Sequence, residues 1–361
     1  MDVLFQLPVL GYVLQFLAYL VDAIVTTNLA PQTLQLATPI ALGALCGVMN
    51  ERSGIVNIGI EGMMLTAAFV GFMVAMVIHE ALPAEPSAFF GFTPALVAGI
   101  LGAIAAGMAV SALHAWLCIS VRADQIISGT VINIIAFGLT GYLNRLIKPA
   151  GSAGTLDAFR PPPELVELPI VGWIFRMFLS VGPITMSVIV LVIVLQILLF
   201  RSRWGLRTRA VGEHPRAADT VGIDVIRLRY RNVILGGIFA GLAGAWLTLE
   251  FNASFQNGMT ANRGFIALAA VIFGRWTPLG AFGGALLFMF SEALGIAIRT
   301  GPPPGDLGVF LSGIQASFPS IYNNVFGALP YLLTLIVLAG VVGRSVAPAA
   351  VGRPYVKEGA S

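Results

Sequence analysis

Residues 183–200 read PITMSVIVLVIVLQILLF, and residues 201–231 read RSRWGLRTRAVGEHPRAADTVGIDVIRLRYR. The first run contains no charged side chain and approaches the length of about 20 apolar residues that a helix needs to cross a bilayer. The second run contains eight arginines. Because lysine and arginine accumulate in the cytoplasmic loops of membrane proteins, the two runs predict a transmembrane helix that leads into a cytoplasmic loop.

Composition extends this prediction to the whole chain. Of the 361 residues, 57% are hydrophobic and 10% are charged, whereas about 25% of residues are charged in soluble domains. A soluble globule of this composition would expose too much apolar surface, so we expect a protein surrounded by lipid. The net charge of +3 is too small for a nucleic-acid-binding protein. Both cysteines, Cys46 and Cys118, lie in apolar runs and are interpreted as buried hydrophobic residues.

Ten segments are candidate membrane spans, which predicts an all-α, polytopic membrane protein. They are residues 9–27, 34–50, 55–78, 93–120, 124–148, 183–200, 232–251, 264–275, 278–298 and 328–343. Two of these segments leave the number of spans open. Residues 124–148 carry several polar side chains, and residues 264–275 are about half the length of a span. Either segment could be re-entrant, since irregular backbone is tolerated where it is buried in protein or lines a water-filled path.

The arginine-rich loop sets the orientation of the ten spans. If it is cytoplasmic, both termini are cytoplasmic, and the 20 basic residues divide into 14 inside and 6 outside. Spans two to five and spans seven to ten then form two groups of four that run in opposite directions, as in inverted-repeat transporters. We expect a transmembrane domain over residues 1–343, with a retained first span rather than a signal peptide, and a short cytoplasmic tail over residues 344–361.

The sequence motifs of catalysis are missing. Neither lysine, Lys148 nor Lys357, follows a glycine as in an ATP-binding P-loop, so any ATP, with its Mg²⁺, must be bound by a partner protein. His79 and Glu80 are not followed by the second histidine of a zinc protease motif, and no G-x-S-x-G run occurs. The sequence therefore predicts no catalytic residue, metal site or cofactor in this chain.

The densest group of polar residues in the apolar part of the chain is NERSGIVNIGIEGMM, residues 50–64. If a helix begins at Ile55, Asn57 and Glu61 lie four residues apart on one face. A carboxylate inside a bilayer is costly unless it faces a partner or water. Glu61 therefore marks either a substrate path or a contact that locks helices together.

Five further polar residues of the predicted spans are similar in kind: Gln125, Ser128, Asn133, Glu250 and Asn252. Together with Asn57 and Glu61 they are the candidates for a substrate path. The alternative for each of them is a hydrogen bond that only joins two helices.

The arginine-rich loop is predicted to contain a short helix over residues 215–221. Pro215 suits the first position of a helix, and Gly222 suits the residue after its end. So short a helix is unstable alone in water and must pack on its own membrane domain or on another protein. An ordinary cytoplasmic loop would explain the arginines but not this helix.

Several stretches carry a resemblance to a known family. In chain order they are ERSGIVNIGIEGMML, DQIISGTVINIIAFGLTGYL, AVGEHPRAADTVGIDVIRLRY with GGIFAGLAGAWL, RGFIALAAVIFGRWTPLGA and LPYLLTLIVLAG. They resemble the permease subunits of bacterial ABC importers for nucleosides and simple sugars. The form NIGIEG looks like the nucleoside-type permeases, whereas ribose and galactose permeases carry a GGIDLS-type sequence there, and branched-chain amino acid permeases are more distant. One departure is Asn262, where relatives more often have glycine; asparagine also tolerates a positive φ, so we expect only a local change.

The resemblance implies several partners in the bacterial inner membrane and on either side of it. These are a second permease subunit in a heterodimer, two copies of an ATPase, and an extracytoplasmic solute-binding protein. The coupling helix that contacts the ATPase would be carried by Glu213, His214, Pro215, Arg216, Ala217 and Ala218, with Gly222 behind it.

The expected function is ATP-driven import of a nucleoside, and import of a simple sugar is the alternative within the family. A secondary transporter that uses Glu61, Glu250 or Glu292 as its titrating group is the alternative from another class. Such a carrier has no need of a short helix in an arginine-rich loop. A passive membrane scaffold would leave Asn57 and Glu61 without a purpose.

Overall fold

The computed structural model describes residues 8–25, 29–87, 89–147, 151–159, 164, 168, 171–301, 305–328, 332 and 345–356. Throughout these ranges the regular secondary structure is helical. The helices are α1 (Pro8–Val25), α2 (Leu29–Glu51), α3 (Ile60–Ala81), α4 (Pro94–Ala115), α5 (Gln125–Ile147), α6 (Val171–Leu179), α7 (Pro183–Arg201), α8 (Arg203–Glu213), α9 (Pro215–Thr220), α10 (Val225–Ala245), α11 (Arg263–Phe273), α12 (Pro278–Thr300), α13 (Asp306–Ser317) and α14 (Pro319–Gly327). π-helical turns extend α4 over Trp116–Ser120 and α10 over Trp246–Phe251.

Seven of the described helices are long and apolar enough to cross a membrane, namely α2, α3, α4 and α10 with their π-turns, α5, α7 and α12. Two shorter apolar helices, Gly11–Ile24 within α1 and α11, lie where the first and eighth spans are predicted. The expected polytopic helical membrane protein is therefore confirmed in the described part of the chain. The tenth predicted span, 328–343, falls almost wholly outside the described residues. The count of ten and the cytoplasmic placement of both termini stay predictions.

The two segments that left the count open differ from each other. α5 is a continuous helix of 23 residues, so the polar side chains of residues 124–148 do not interrupt it. α11 has 11 residues, about half the length of a span, as its sequence indicated. The arginine-rich loop is itself largely helical, because α8 occupies its first part and α10 begins at Val225.

The start of α3 differs from its prediction. The helix expected from Ile55 begins at Ile60 instead. Between α2 and α3, Gly54 adopts a φ of 92°, a left-handed conformation that glycine tolerates and that interrupts a helix. Asn57 therefore precedes α3, and the prediction that Asn57 and Glu61 share a helix face is wrong.

The chain divides into two compact units, residues 1–37, 160–181 and 286–343 in one, and residues 38–159, 182–285 and 344–361 in the other. In the first unit, the rings of Tyr12 and Phe310 stack with centroids 5.8 Å apart, and Trp173 Nε1 donates to Ile24 O at 2.8 Å. The second unit contains α3 to α5, α7 to α11 and residues 345–356. It holds every candidate for the substrate path and for the coupling helix, whereas Glu292, a candidate titrating group of a secondary transporter, lies in the first unit.

Within the second unit, α3, α4 and α10 pack through small residues. A side chain added at Gly107 of α4 would place its Cβ 2.7 Å from the main-chain nitrogen of Gly241 in α10. A Cβ at Gly71 of α3 would lie 3.0 Å from the carbonyl oxygen of Gly99 in α4. Membrane helices associate by such close backbone contacts. This packing holds α3 in place, with Glu61 in its first turn.

Candidate functional site

Glu61 caps the start of α11. Its Oε1 accepts a hydrogen bond from the N–H of Asn262 at 2.9 Å, and its Oε2 accepts one from the N–H of Gly264 at 2.6 Å. The first N–H groups of a helix have no partner within the helix, and the helix dipole favours a negative charge beside them. Glu61 therefore stabilises a helix start that lies far away in the sequence, since Asn262 follows it by 201 positions.

The first turns of α3 and α11 are in direct contact. A Cβ at Gly264 would lie 2.6 Å from the Cα of Glu61, so no larger residue fits there without separating the two helices. Asn262, immediately before α11, has a φ of 65°. The expectation that asparagine is accepted here through a positive φ is confirmed.

Asn133 of α5 supports the start of α3. Its Oδ1 accepts from the N–H of Gly62 at 2.7 Å, and its Nδ2 donates to the carbonyl oxygen of Ile58 at 3.0 Å. The side-chain amide thus satisfies one donor and one acceptor at a helix end, where both would otherwise lack a partner. Asn133 and Glu61 hold two helix starts together at one place.

A cleft of about 460 Å³ lies beside these two caps. Side chains that line it include Glu61, Leu65, Asn133, Phe137, Thr260 and Asn262. Glu61 is the one charged residue among the lining residues, and Phe137 is 60% exposed. A mostly apolar cleft with a few polar groups, little charge and an aromatic side chain suits a neutral solute that combines hydroxyl or amide groups with a planar part.

Three other candidates lie away from the cleft, at the junction before α3. Asn57 is fully buried, and its Nδ2 donates to Met63 Sδ at 3.4 Å. Gln125 Oε1 accepts from the N–H of Val56 at 2.7 Å. Ser128 is buried against the side chain of a histidine. These contacts join the segment between α2 and α3 to α4 and α5.

That histidine, His114, has a structural role that its sequence context does not indicate. Its Nε2 lies 2.9 Å from the carbonyl oxygen of Val56, which can only accept, so Nε2 carries the proton. In the neutral ring, Nδ1 then accepts from Ser128 Oγ at 3.0 Å. Val56 is 58 positions away in sequence, and no local pattern marks such a pairing.

Glu250 performs for α7 the role that Glu61 performs for α11. Its Oε2 accepts from the N–H of Ile184 at 2.6 Å, and its Oε1 accepts from the N–H and Oγ1 of Thr185 at 3.2 and 2.6 Å. Asn252, just after the π-turn, is exposed. Of the seven candidates for a substrate path, the structure brings Glu61 and Asn133 together at the cleft and places the other five elsewhere.

The short helix predicted in the arginine-rich loop is present as α9. Gly222 follows it with a φ of 82°, which agrees with its predicted place after the helix end. Ala218 is only 3% exposed and packs against Val211 and Val225 of its own unit. Ala217, in contrast, is exposed, so α9 presents one of its two alanines to solvent.

Residues 345–356 pack on the same end of the unit as α9. The N–H of Ala350 donates to the carbonyl oxygen of Gly212 at 2.9 Å, and the N–H of Ala349 donates to Glu213 Oε2 at 3.1 Å. The sequence predicts only a short cytoplasmic tail here. We call residues 345–356 the C-terminal segment.

Several arginines that were predicted to share one side of the membrane meet at this end. Arg52 Nη2 donates to the carbonyl oxygen of Arg275 at 3.1 Å, and Arg229 Nη1 donates to that of Arg353 at 3.1 Å. Burial lowers the pKa of Arg52 from its usual value, and the nearby negative charge of Glu213 opposes this effect. These contacts agree with the prediction that the four arginines lie on one side of the membrane. That this side is the cytoplasmic one stays a prediction.

Known proteins match the sequence along most of the chain. A family model described as branched-chain amino acid transport system / permease component matches residues 30–338. The guanosine ABC transporter permease protein NupQ of Bacillus subtilis is 39% identical over 91% of this chain and 96% of NupQ. The nucleoside ABC transporter permease protein NupC of Lactococcus lactis is 35% identical over 89% of this chain and 94% of NupC. The putative glucose ABC transporter permease protein TsgC13 of Haloferax volcanii is 35% identical, covering 90% and 96% of the two chains.

Proposed function

Since this chain belongs to the family of permease components of branched-chain amino acid transport systems, we propose that it is the multi-pass membrane subunit of an ABC importer for nucleosides. The observation that carries the proposal is the similarity to two relatives named as guanosine and nucleoside permeases, each over about nine-tenths of this chain. The chain does no chemistry on its solute. It binds the solute and releases it on the other side of the membrane.

The cleft beside Glu61 is the proposed point of contact with the solute. Phe137 offers a flat apolar surface to a nucleobase, and Glu61 and Asn133 offer polar atoms to ribose hydroxyls. Because both polar residues also cap helix starts, their positions are rigid before the solute arrives. The single carboxylate accepts hydrogen bonds from hydroxyl groups without requiring a charged solute.

A simple sugar is the second candidate solute, because TsgC13 carries the name of a putative glucose permease at a similar level of identity. A sugar lacks the planar ring that would use Phe137. Transport of a nucleoside would therefore depend on Phe137, whereas transport of a sugar would not.

We further propose that transport depends on three partners. An ATPase subunit binds ATP and Mg²⁺ and moves α9, a second permease subunit completes the path in a heterodimer, and an extracytoplasmic binding protein delivers the solute. The exposed face of α9, with Arg216 and Ala217, supports contact with another protein. Movement of α9 would then reach α10 through the buried packing of Ala218 on Val225.

Uptake by proteoliposomes that contain the complete complex tests this function. We expect labelled guanosine to accumulate when ATP is supplied on the ATPase side and the binding protein on the other side. An ionophore that collapses ion gradients should leave uptake unchanged. Uptake that needs the gradient and ignores ATP would show a secondary transporter, and uptake of glucose or ribose without guanosine would assign the sugar alternative.

A further inference from the structure

Residues of the C-terminal segment and of α9 line two clefts. One, of about 580 Å³, lies between residues drawn from 213–217 and residues drawn from 349–356. The other, of about 540 Å³, is lined by residues drawn from 219–227 and by Tyr355. Tyr355 borders both clefts, and it also packs on the buried cluster around Ala218. The segment is thus part of the surface on each side of α9.

Arg229 of α10 holds the C-terminal segment in position. Its side chain is 2% exposed, its Nε donates to the carbonyl oxygen of Ser53 at 3.0 Å, and its Nη1 donates to that of Arg353 at 3.1 Å. Gly54 leaves room for the guanidinium, since a Cβ there would lie 2.6 Å from Nη2. A buried guanidinium bound to carbonyl groups of two separate segments fixes one relative to the other. Arg229 is therefore a positioning residue.

The surface around the two clefts combines exposed apolar side chains with charged ones, as surfaces that bind another protein do. Val221, Ile226 and Val356 are 75%, 41% and 46% exposed. Arg216 and Arg353 line the larger cleft. Arginine-rich ends of membrane proteins lie outside the hydrocarbon, so lipid does not cover these apolar side chains. Apolar side chains rimmed by charge mark a site where another protein binds.

We propose that the ATPase subunit docks on a composite surface made of α9 and residues 349–356 of the C-terminal segment, with Arg229 positioning the C-terminal segment. The inference rests on the proposed function, which gives α9 an ATPase as its partner. Residues of α9 and of the C-terminal segment line the same cleft. A protein that binds α9 therefore also contacts the C-terminal segment.

Charge changes in the C-terminal segment test this surface. In the purified complex of both permease subunits, V356D and R353E should each weaken binding of the cognate ATPase by roughly tenfold, as loss of one central contact does. V346D is the matched control, because Val346 is 80% exposed in the same segment and lines neither cleft. ATPase affinity in V356D and R353E equal to that of the unchanged protein would overturn the proposal.

Variants of Arg229 test the positioning role separately. R229M should weaken ATPase binding by roughly tenfold, and R229K, which retains donors to the carbonyl groups, should recover part of the loss. Docking of the extracytoplasmic binding protein should stay unchanged in both variants. Wild-type ATPase affinity in R229M would contradict the role of Arg229. If R229M does not assemble, the surface variants V356D and R353E decide the proposal.

A217E distinguishes this inference from the proposed function. If A217E weakens ATPase binding and V356D does not, α9 is the docking element and the composite surface is wrong. If neither variant weakens binding while nucleoside uptake needs no ATPase, the proposed function itself is wrong.

Discussion

The carboxylate of Glu61 and the main-chain N–H of Gly264 are joined by a 2.6 Å hydrogen bond, so one acidic side chain of α3 caps the start of α11. The same carboxylate lines the cleft assigned to the solute. The stability of a helix start and the chemistry of the cleft therefore depend on one residue. The two roles are separable by experiment.

Replacing Glu61 by glutamine keeps one acceptor oxygen and removes the negative charge. We expect E61Q to assemble, with the free energy of unfolding lowered by about 1 kcal/mol, and guanosine uptake per complex to fall roughly tenfold. E250Q is the control, because Glu250 caps α7 in the same way and does not line the cleft. Thermal unfolding and uptake are measured on both. Equal uptake in the two variants would leave Glu61 with a capping role alone.

Gly264→Ala should separate α3 from α11. The added Cβ would lie 2.6 Å from the Cα of Glu61, so the helices must move apart, at a cost of about 1–3 kcal/mol in stability. Guanosine uptake should also fall, because moving the two helices apart changes both the Glu61 cap of α11 and the shape of the cleft. Gly283→Ala is the control, since no atom lies within 4 Å of a Cβ built there. Normal thermal unfolding of G264A would contradict the contact.

Phe137→Ala should change solute preference rather than assembly. Phe137 is 60% exposed and lines the cleft, and loss of stacking on a base costs about 1–3 kcal/mol, or at least a fivefold loss in apparent affinity for guanosine. Competition of unlabelled guanosine and ribose against labelled guanosine measures this. Leu139→Ala, on the same helix and away from the cleft, should behave as the unchanged protein. An unaltered affinity in F137A would remove Phe137 from the solute site.

The two alanines of α9 should respond differently to the same change. Ala218 is buried, so A218E should lower the amount of assembled protein by placing a charge in the packing of Val211 and Val225. A217E should leave assembly intact and reduce guanosine uptake per ATP hydrolysed, because residue 217 is exposed. Size-exclusion chromatography and coupled uptake assays compare them. Poor assembly of A217E with normal assembly of A218E would reverse the assignment of faces.

Single cysteines at positions 152 and 217 should react with a membrane-impermeant maleimide from opposite sides of the membrane. The distribution of arginines places position 152 outside and position 217 inside, and both residues are exposed. The native cysteines, Cys46 and Cys118, are 0% and 1% exposed and should stay unlabelled. Labelling of both new cysteines from one side would refute the orientation.

The sequence alone was sufficient for the class of protein and for elements set by local chemistry. Long apolar runs predict membrane helices because the bilayer requires each backbone group to bond within its own segment. Pro215 and Gly222 predict the two ends of α9 because each acts on the backbone at its own position. The conformation of Asn262 was predictable for the same reason.

Only the tertiary structure decided which polar residues share a site. Glu61 meets Asn262 across 201 positions, and Arg229 meets Ser53 across 176, and no local pattern encodes either pairing. Asn57 and Glu61 are four residues apart in sequence, yet the left-handed turn at Gly54 places Asn57 in the interior and leaves Glu61 at the cleft. The physical reason is that a polar group in an apolar chain must find a partner, and helix packing determines which partner lies within reach.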